Sequence, residues 1–291
     1  MFAAISRYDT LSETPAPLTL ERGDGAAEIV FARRGDGRTA LAHLYQRSPC
    51  RVLFPAPEPG DLPLAALLTT SGGLTGGDRL RLVVTAGAGA AALATTAAAE
   101  KVYRSADGDV DVAVALTVDA GGWLEWLPQE TILFDGACLG RRLAASVAPD
   151  ARFLGAETLV FGRAARGERF ARGRLYESWR VRFGGRLVWA DALGLAGGVA
   201  AQLEAPGFAG AAALATAVYV GADAAAQLAL ARALAEGGEC RGGATLLGPV
   251  LVARFHDARA EIVRAALARY VVGLRHAAAG LPAVMPRLWG I

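Results

Sequence analysis

Apolar and polar residues alternate along much of this chain with a period of two, the mark of a strand with one buried face. Leu80, Leu82 and Val84 alternate with Arg79 and Arg81, and Val110, Val112, Val114 and Leu116 share one face of the next run. Similar short runs recur at 27–31, 40–45, 51–54, 64–70, 123–127, 142–147, 153–161, 174–182 and 186–189, separated by glycines and polar turns. So many short strands predict a mainly β body. Stacked sheets or a β-helix suit this spacing, although no fixed-period repeat selects them.

Helical periodicity appears only towards the C-terminus. Asp223 is placed to cap a helix reaching Glu236, with Gly237 and Gly238 as its stop. Asp257 is placed to cap a second, in which Ile262, Val263, Ala266, Leu267, Tyr270, Val271 and Leu274 recur at i, i+3, i+4 spacing. Gly280 and Pro282 end it. The reading is one domain over 1–291, with a loose entry segment at 1–25 and a helix-containing part at 223–291. The closing Pro286-Arg287-Leu288-Trp289 is read as a short tail with an exposed tryptophan.

Composition narrows the function. Of 291 residues, 53% are hydrophobic, enough for a sizeable core, much of it alanine. Thirty Lys+Arg balance 28 Asp+Glu, and no basic run appears, which argues against a nucleic-acid partner. Cys50, Cys138 and Cys240 are odd in number and far apart, which fits a reducing cytoplasm and no disulfide framework. No signal peptide is expected, nor a membrane span, since no apolar stretch reaches about 18 residues.

The densest chemistry lies between 71 and 105. Gly72, Gly73, Gly76 and Gly77 fall within six positions and are followed by Asp78 and Arg79. A phosphate cradle needs a helix after such glycines. Here a strand follows, so the glycines are read as a structural turn that places Asp78 at a strand entrance. Thr95, Thr96, Glu100, Lys101 (the only lysine), Tyr103 and Arg104 come next.

Glu125 and Glu130 flank Pro128 and are a candidate acid/base pair, the basis of an alternative reading as a hydrolase. Asp135 follows. Glu157 lies in an apolar run, where an inward carboxylate needs a partner, a metal or water. The Arg/Glu-rich stretch from Arg163 to Arg169 reads as an ion-paired turn. His43, His256 and His276 show no metal-binding spacing and are read as structural or surface histidines.

Several of these pieces together resemble the urease accessory protein D family (UreD, called UreH in some organisms). They are Thr70-Ser71-Gly72-Gly73-Leu74-Thr75-Gly76-Gly77-Asp78, Thr95-Thr96 with Lys101-Val102-Tyr103-Arg104-Ser105, and Leu124-Glu125-Trp126-Leu127-Pro128-Gln129-Glu130. Phe161-Gly162-Arg163, Gly167-Glu168 and Pro286-Arg287-Leu288-Trp289 complete the ordered set. At 97–100 the chain has Ala-Ala-Ala-Glu where the family often has Pro-Gly or similar.

The resemblance implies a body of stacked, β-helix-like sheets with a few helices. It implies a non-catalytic urease maturation factor, cytoplasmic, that joins urease apoprotein to the F accessory protein and the G GTPase. No tightly bound cofactor is implied, only transient nickel passing through a polar internal channel. On that reading Asp78, Glu125, Glu130, Asp135 and Glu157 supply charge along the path, and Thr95 and Thr96 supply oxygens. Asp78, Asp135 and Glu157 are expected to face the passage. Spread carboxylates release an ion that a tight His/Cys site would trap. Arg287 and Trp289 are candidate anchors for the F protein.

Overall fold

Alternation along the strands is resolved into two facing sheets in the computed structural model, which describes residues 22–290. In chain order the strands are β1 (Asp24–Arg33), β2 (Thr39–Arg47), β3 (Cys50–Leu53), β4 (Leu64–Thr69), β5 (Arg79–Ala86), β6 (Ala91–Thr96), β7 (Glu100–Val102), β8 (Val110–Val118) and β9 (Trp123–Leu127). There follow β10 (Thr131–Leu133), β11 (Cys138–Val147), β12 (Arg152–Arg163), β13 (Glu168–Arg169), β14 (Arg174–Phe183) and β15 (Arg186–Ala196). The remainder is α1 (Val199–Glu204), β16 (Ala213–Val220), α2 (Leu228–Glu236), β17 (Arg241–Leu247), β18 (Val250–Asp257) and α3 (Ala260–Ala279), closed by a 3₁₀ turn at Arg287–Gly290.

The first sheet has the order β15-β14-β11-β8-β5-β1-β2; the path of the second is β17-β18-β16-β12-β9-β6-β4-β3. From β4 to β14 the chain passes repeatedly between them. Strands β5, β8, β11 and β14 stack in parallel in the first sheet. Strands β4, β6, β9 and β12 stack in parallel in the second. Parallel strands need a crossover, usually a helix. Here the facing sheet supplies it, and the result is the solenoid-like stack that the spacing of the strands allowed. Antiparallel partners flank the coil: β2 and β15 at the ends of the first sheet, β3 and β16-β18-β17 at the ends of the second.

Two apolar cores result. Ile29, Phe31, Val84, Leu116, Phe153 and Val181 pack between the sheets. Leu127, Leu154, Phe255, Leu267, Tyr270 and Leu274 pack between the second sheet and the helices. The second sheet is therefore covered on both faces, and β9 is buried at all five positions, as expected for interior parallel strands.

The helices depart from the sequence reading at their starts. Asp223 does not cap α2; its carboxylate accepts the Tyr219 hydroxyl at 2.8 Å, and turns occupy the residues before Leu228. Asp257 does not cap α3, because β18 runs through it, paired with Ala213. The helix starts only after Arg259, whose N–H donates to Asp257 Oδ1 at 2.9 Å. Both stops are as expected: Gly237 follows α2, and Gly280 adopts φ 64° after α3. Helix α1 was not anticipated; with only Val199 and Leu203 buried it is too short to show a period.

The tail also differs: Trp289 is buried. Its Nε1 donates to the Leu127 carbonyl at 3.1 Å and to Thr95 Oγ1 at 3.3 Å, and the Arg264 guanidinium stacks 4.7 Å from its ring. The apolar side of the second sheet extends further than α2 and α3 cover, and the tail closes it. Of the 1–25 entry segment, residues 1–21 lie outside the described residues, and Asp24–Gly25 already belong to β1. Among the described residues no helix is long and apolar enough to cross a membrane.

The glycine turn and the Lys-x-Tyr-Arg segment meet at one end of this body. Leu74 pairs with Val102, the Tyr103 hydroxyl donates to the Gly72 carbonyl at 2.9 Å, and the Thr75 hydroxyl to the Arg104 carbonyl at 3.3 Å. Gly72 has φ 74° with open space around it. Gly76 serves a different purpose. A Cβ there would lie 1.8 Å from Ser105 Oγ and 2.3 Å from the Asp107 carbonyl oxygen. Gly72→Ala should therefore cost about 1 kcal/mol, the strain of left-handed backbone. Gly76→Ala should cost more, on the order of 3 kcal/mol, because backbone must move. Urea denaturation of the two variants tests this, and equal losses would refute the close-approach account.

Candidate functional site

The solenoid sorts the sequence-predicted polar residues into three places. Strand parity decides the first division. On β12, Phe153, Leu159 and Phe161 face the space between the sheets, and Glu157 is in phase with them. On β9, Trp123 and Leu127 face the helices, and Glu125 is in phase with those. On β6 the same rule sends Thr95 to the helix side and Thr96 inward.

On the helix side, Glu125 is fully buried against Arg275 of α3, itself fully buried. Arg275 Nε lies 3.0 and 3.2 Å from the two Glu125 oxygens, and its terminal nitrogens bind Asp61 and the carbonyls of Pro282 and Val284. Trp123 Nε1 donates to Glu125 at 3.1 Å. Burial pushes the Glu125 carboxyl up, and Arg275 opposes the shift. Glu130 pairs with Arg264. Thr95 Oγ1 donates to the Leu127 carbonyl at 2.6 Å. Glu125 and Glu130 thus each have their own arginine and do not form a shared acid/base pair, so the geometry lends nothing to the hydrolase alternative.

At the loop end, Asp78 Oδ1 accepts the Gly23 N–H at 2.7 Å, and Oδ2 accepts the Thr75 N–H at 2.8 Å. It ties the glycine turn to the start of β1. Asp135 Oδ1 accepts the backbone N–H groups of Ala171 and Arg172, and Oδ2 pairs with the Arg172 guanidinium. That pairing holds its carboxyl below the usual range. Arg163 pairs with Glu168, which also accepts the Asp135 N–H at 3.2 Å. These carboxylates fasten loops.

Between the sheets lies the third group, and most of its members were not singled out from sequence. Arg141 on β11 and Glu177 on β14 sit at matched register and both point inward. Arg141 Nη2 is 2.5 Å from Glu177 Oε2 and 3.1 Å from Glu157 Oε2, and Nη1 donates to Thr131 Oγ1 at 2.8 Å. Trp126 Nε1 donates to Glu157 Oε1 at 3.3 Å. Glu157 Oε2 is within ion-pair distance but not aligned for a hydrogen bond, and it and Arg141 Nε are left without hydrogen-bond partners. Burial pushes the Glu157 carboxyl up to about 7; Arg141 opposes this and Glu177 adds to it. Two acids against one guanidinium leave the cluster short of positive charge when both ionise.

Three cavities lie in a row, and this cluster borders the second and the third. One of about 170 Å³ is lined by Cys50, Thr69, Thr96, Glu100 and Lys101. Burial pushes the Glu100 carboxyl up, the Thr69 hydrogen bond opposing. A second, of about 60 Å³, shares Leu80, Leu82, Thr96 and Glu100 with the first and continues past Thr131 to Arg141 and Glu157. A third, of about 200 Å³, begins at Glu177 and runs by Asp191, Thr216 and His256. The row follows the coil axis, from β4 and β5 to β15 and β16. Of the sequence-predicted path residues, only Thr96 and Glu157 line it. Among the described residues, no three His, Cys, Asp or Glu side chains converge as a metal site.

A signal for the missed residues was present. Arg141 falls in phase with Leu139, Leu143 and Ala145, and Glu177 with Leu175, Trp179 and Val181, all inward. A charged residue at the buried phase of a strand marks an internal polar site. Arg141 lies one residue before the apolar alternation of 142–147, in a strand that in fact begins at Cys138. Arg275 likewise occupies the apolar stripe of α3, four residues after Val271.

A family model described as UreD urease accessory protein matches residues 23–290. Similar curated proteins include urease accessory protein UreD of Magnetococcus marinus, 41% identical over 92% of this chain and 94% of that protein. The UreD of Methylobacterium sp. (strain 4-46) is 40% identical over 95% and 98%, and that of Granulibacter bethesdensis 44% identical over 82% and 99%.

Two stability predictions follow from this geometry. The folded chain protonates Glu157 near pH 7 and the unfolded chain near the ordinary 4.5. Between those values the folded state binds more protons, so Glu157 makes stability fall as pH rises through that window. In Glu157→Gln this component of the slope should vanish, as urea midpoints from pH 5 to 8 would show. Trp289→Ala should cost about 3–5 kcal/mol as a buried aromatic. A loss within a few tenths would mean the tail does not belong to the core.

Proposed function

Since the chain belongs to the UreD urease accessory protein family, we propose that it acts in the cytoplasm as a scaffold joining urease apoprotein to the F and G accessory proteins, the latter a GTPase. It passes nickel along the interior of the solenoid and catalyses no reaction itself.

The observation that carries this reading is the row of cavities along the coil axis. Glu100, Glu157 and Glu177 succeed one another along it, with Thr96 and Thr131 between. A strongly hydrated divalent ion crosses a protein only where oxygens replace or hold its water. Glu100 beside Thr69, and the Glu157 and Glu177 pair shared by Arg141, give the ion successive stations. Each is partly occupied by its own protein partner and so weak enough to release it. The path proposed here keeps Thr96 and Glu157 and adds Glu100, Thr131 and Glu177. It leaves Asp78 and Asp135 as loop fasteners, and Thr95, Glu125 and Glu130 as supports behind the second sheet.

For the F protein, Arg287 remains the candidate anchor: it is exposed and held by Glu58 at 2.9 Å. Trp289 contributes by fixing the segment that carries it.

Reconstitution from apo-urease, the F and G proteins, GTP and nickel tests the role. Omitting this chain should abolish activation. Glu157→Gln combined with Glu100→Gln should lower the yield of active urease at least several-fold, with co-purification of the partners unchanged. Full activation by that double variant would exclude the internal path, whereas Arg287→Glu should weaken co-purification of the F protein alone.

A further inference from the structure

The row of cavities is interrupted at its middle by one side chain. Arg141 lines the second cavity and Glu177 the third, and their ion pair stands between the two. The guanidinium is ringed by oxygens drawn from both sheets: Glu177 from the first, Glu157 and Thr131 from the second. All four side chains are buried. Two carboxylates and a hydroxyl around one positive group supply oxygens that a divalent cation can take alongside the waters it keeps. The fit of the arginine is incomplete, since Glu157 Oε2 and Arg141 Nε, both lining the second cavity, lack hydrogen-bond partners.

Resting on the conduit reading above, we infer that Arg141 is a tethered gate: its guanidinium holds the Glu157, Glu177 and Thr131 oxygens in place of a divalent metal ion and swings aside when the metal passes. The third cavity, about 200 Å³, gives the displaced side chain room. A guanidinium does not lose its proton in proteins, so it competes for the carboxylates wherever they are ionised. That competition prevents the oxygen cluster from becoming a trap. Without it, two buried carboxylates and a hydroxyl would retain the ion they are meant to hand on.

Equilibrium dialysis of the purified chain against nickel chloride at pH 8 tests the masked site. Arg141→Met should retain roughly one more nickel ion per chain than the unaltered protein, and Arg141→Met with Glu157→Gln should lose it again. Arg141→Gln, which keeps a donor towards Glu177, carries the same test if Arg141→Met fails to fold. Equal nickel content in the unaltered protein and a folded Arg141 variant overturns the proposal. In the reconstitution, Arg141→Met should slow urease activation several-fold because nickel stays bound. Extra nickel with unimpaired activation would overturn the gating role and the conduit on which it rests, while equal nickel with impaired activation would overturn the gate alone.

Discussion

An arginine shared by two glutamates joins the facing sheets through charges buried between them. Burying a charge is costly unless it is paired, and removing one partner of a buried pair leaves the full cost with the other. Arg141, Glu157 and Glu177 are therefore bound to one another by necessity. The three strands that carry them, β11, β12 and β14, are fixed in mutual register by the same contacts. Burial above all, with the charge of Glu177 adding to it against Arg141, pushes the Glu157 carboxyl up to about 7. Well-packed apolar residues often replace a buried ion pair without loss of stability, so the presence of charge here is an argument for use.

The coil explains why such a site has neighbours on both sides. Each turn of the solenoid adds one inward row from each sheet, so inward residues on successive strands lie in line along the axis. Apolar rows close that line and polar rows open it. Thr96, Glu100 and Thr131 precede the arginine cluster, and Asp191 and His256 follow it. A helix-wrapped parallel sheet offers no comparable internal line, because its facing layer is not built in the same register.

The other carboxylates show the same chemistry put to structural use. Arg275 gathers Glu125, Asp61 and two carbonyls beneath the tail. Asp78 and Asp135 accept backbone N–H groups that no strand could satisfy. The motifs that carry the family resemblance therefore do different work. The glycine turn, Tyr103 and Arg104 shape one end of the body, the Glu125 segment anchors the helices, and the closing Trp289 seals the second core.

Period-two alternation in β5, β8 and β14 was enough by itself to establish a mainly β body, and glycine chemistry was enough to end α2 and α3. Local backbone preferences and one-sided burial are properties of a short segment, so they are written in it. The ordered motifs likewise carried the family. The starts of the helices were not written there, because pairing of β18 with β16 holds Asp257 extended against its capping preference. Nor was the burial of Trp289, which depends on how far α2 and α3 reach across a sheet. Which face Glu125 and Glu157 take, and which arginine each meets, 150 residues away in one case, was settled only when the coil fixed every strand's phase. A charge on a strand tells that it needs a partner; the partner is chosen by the stacking of sheets, which acts between residues far apart in the chain.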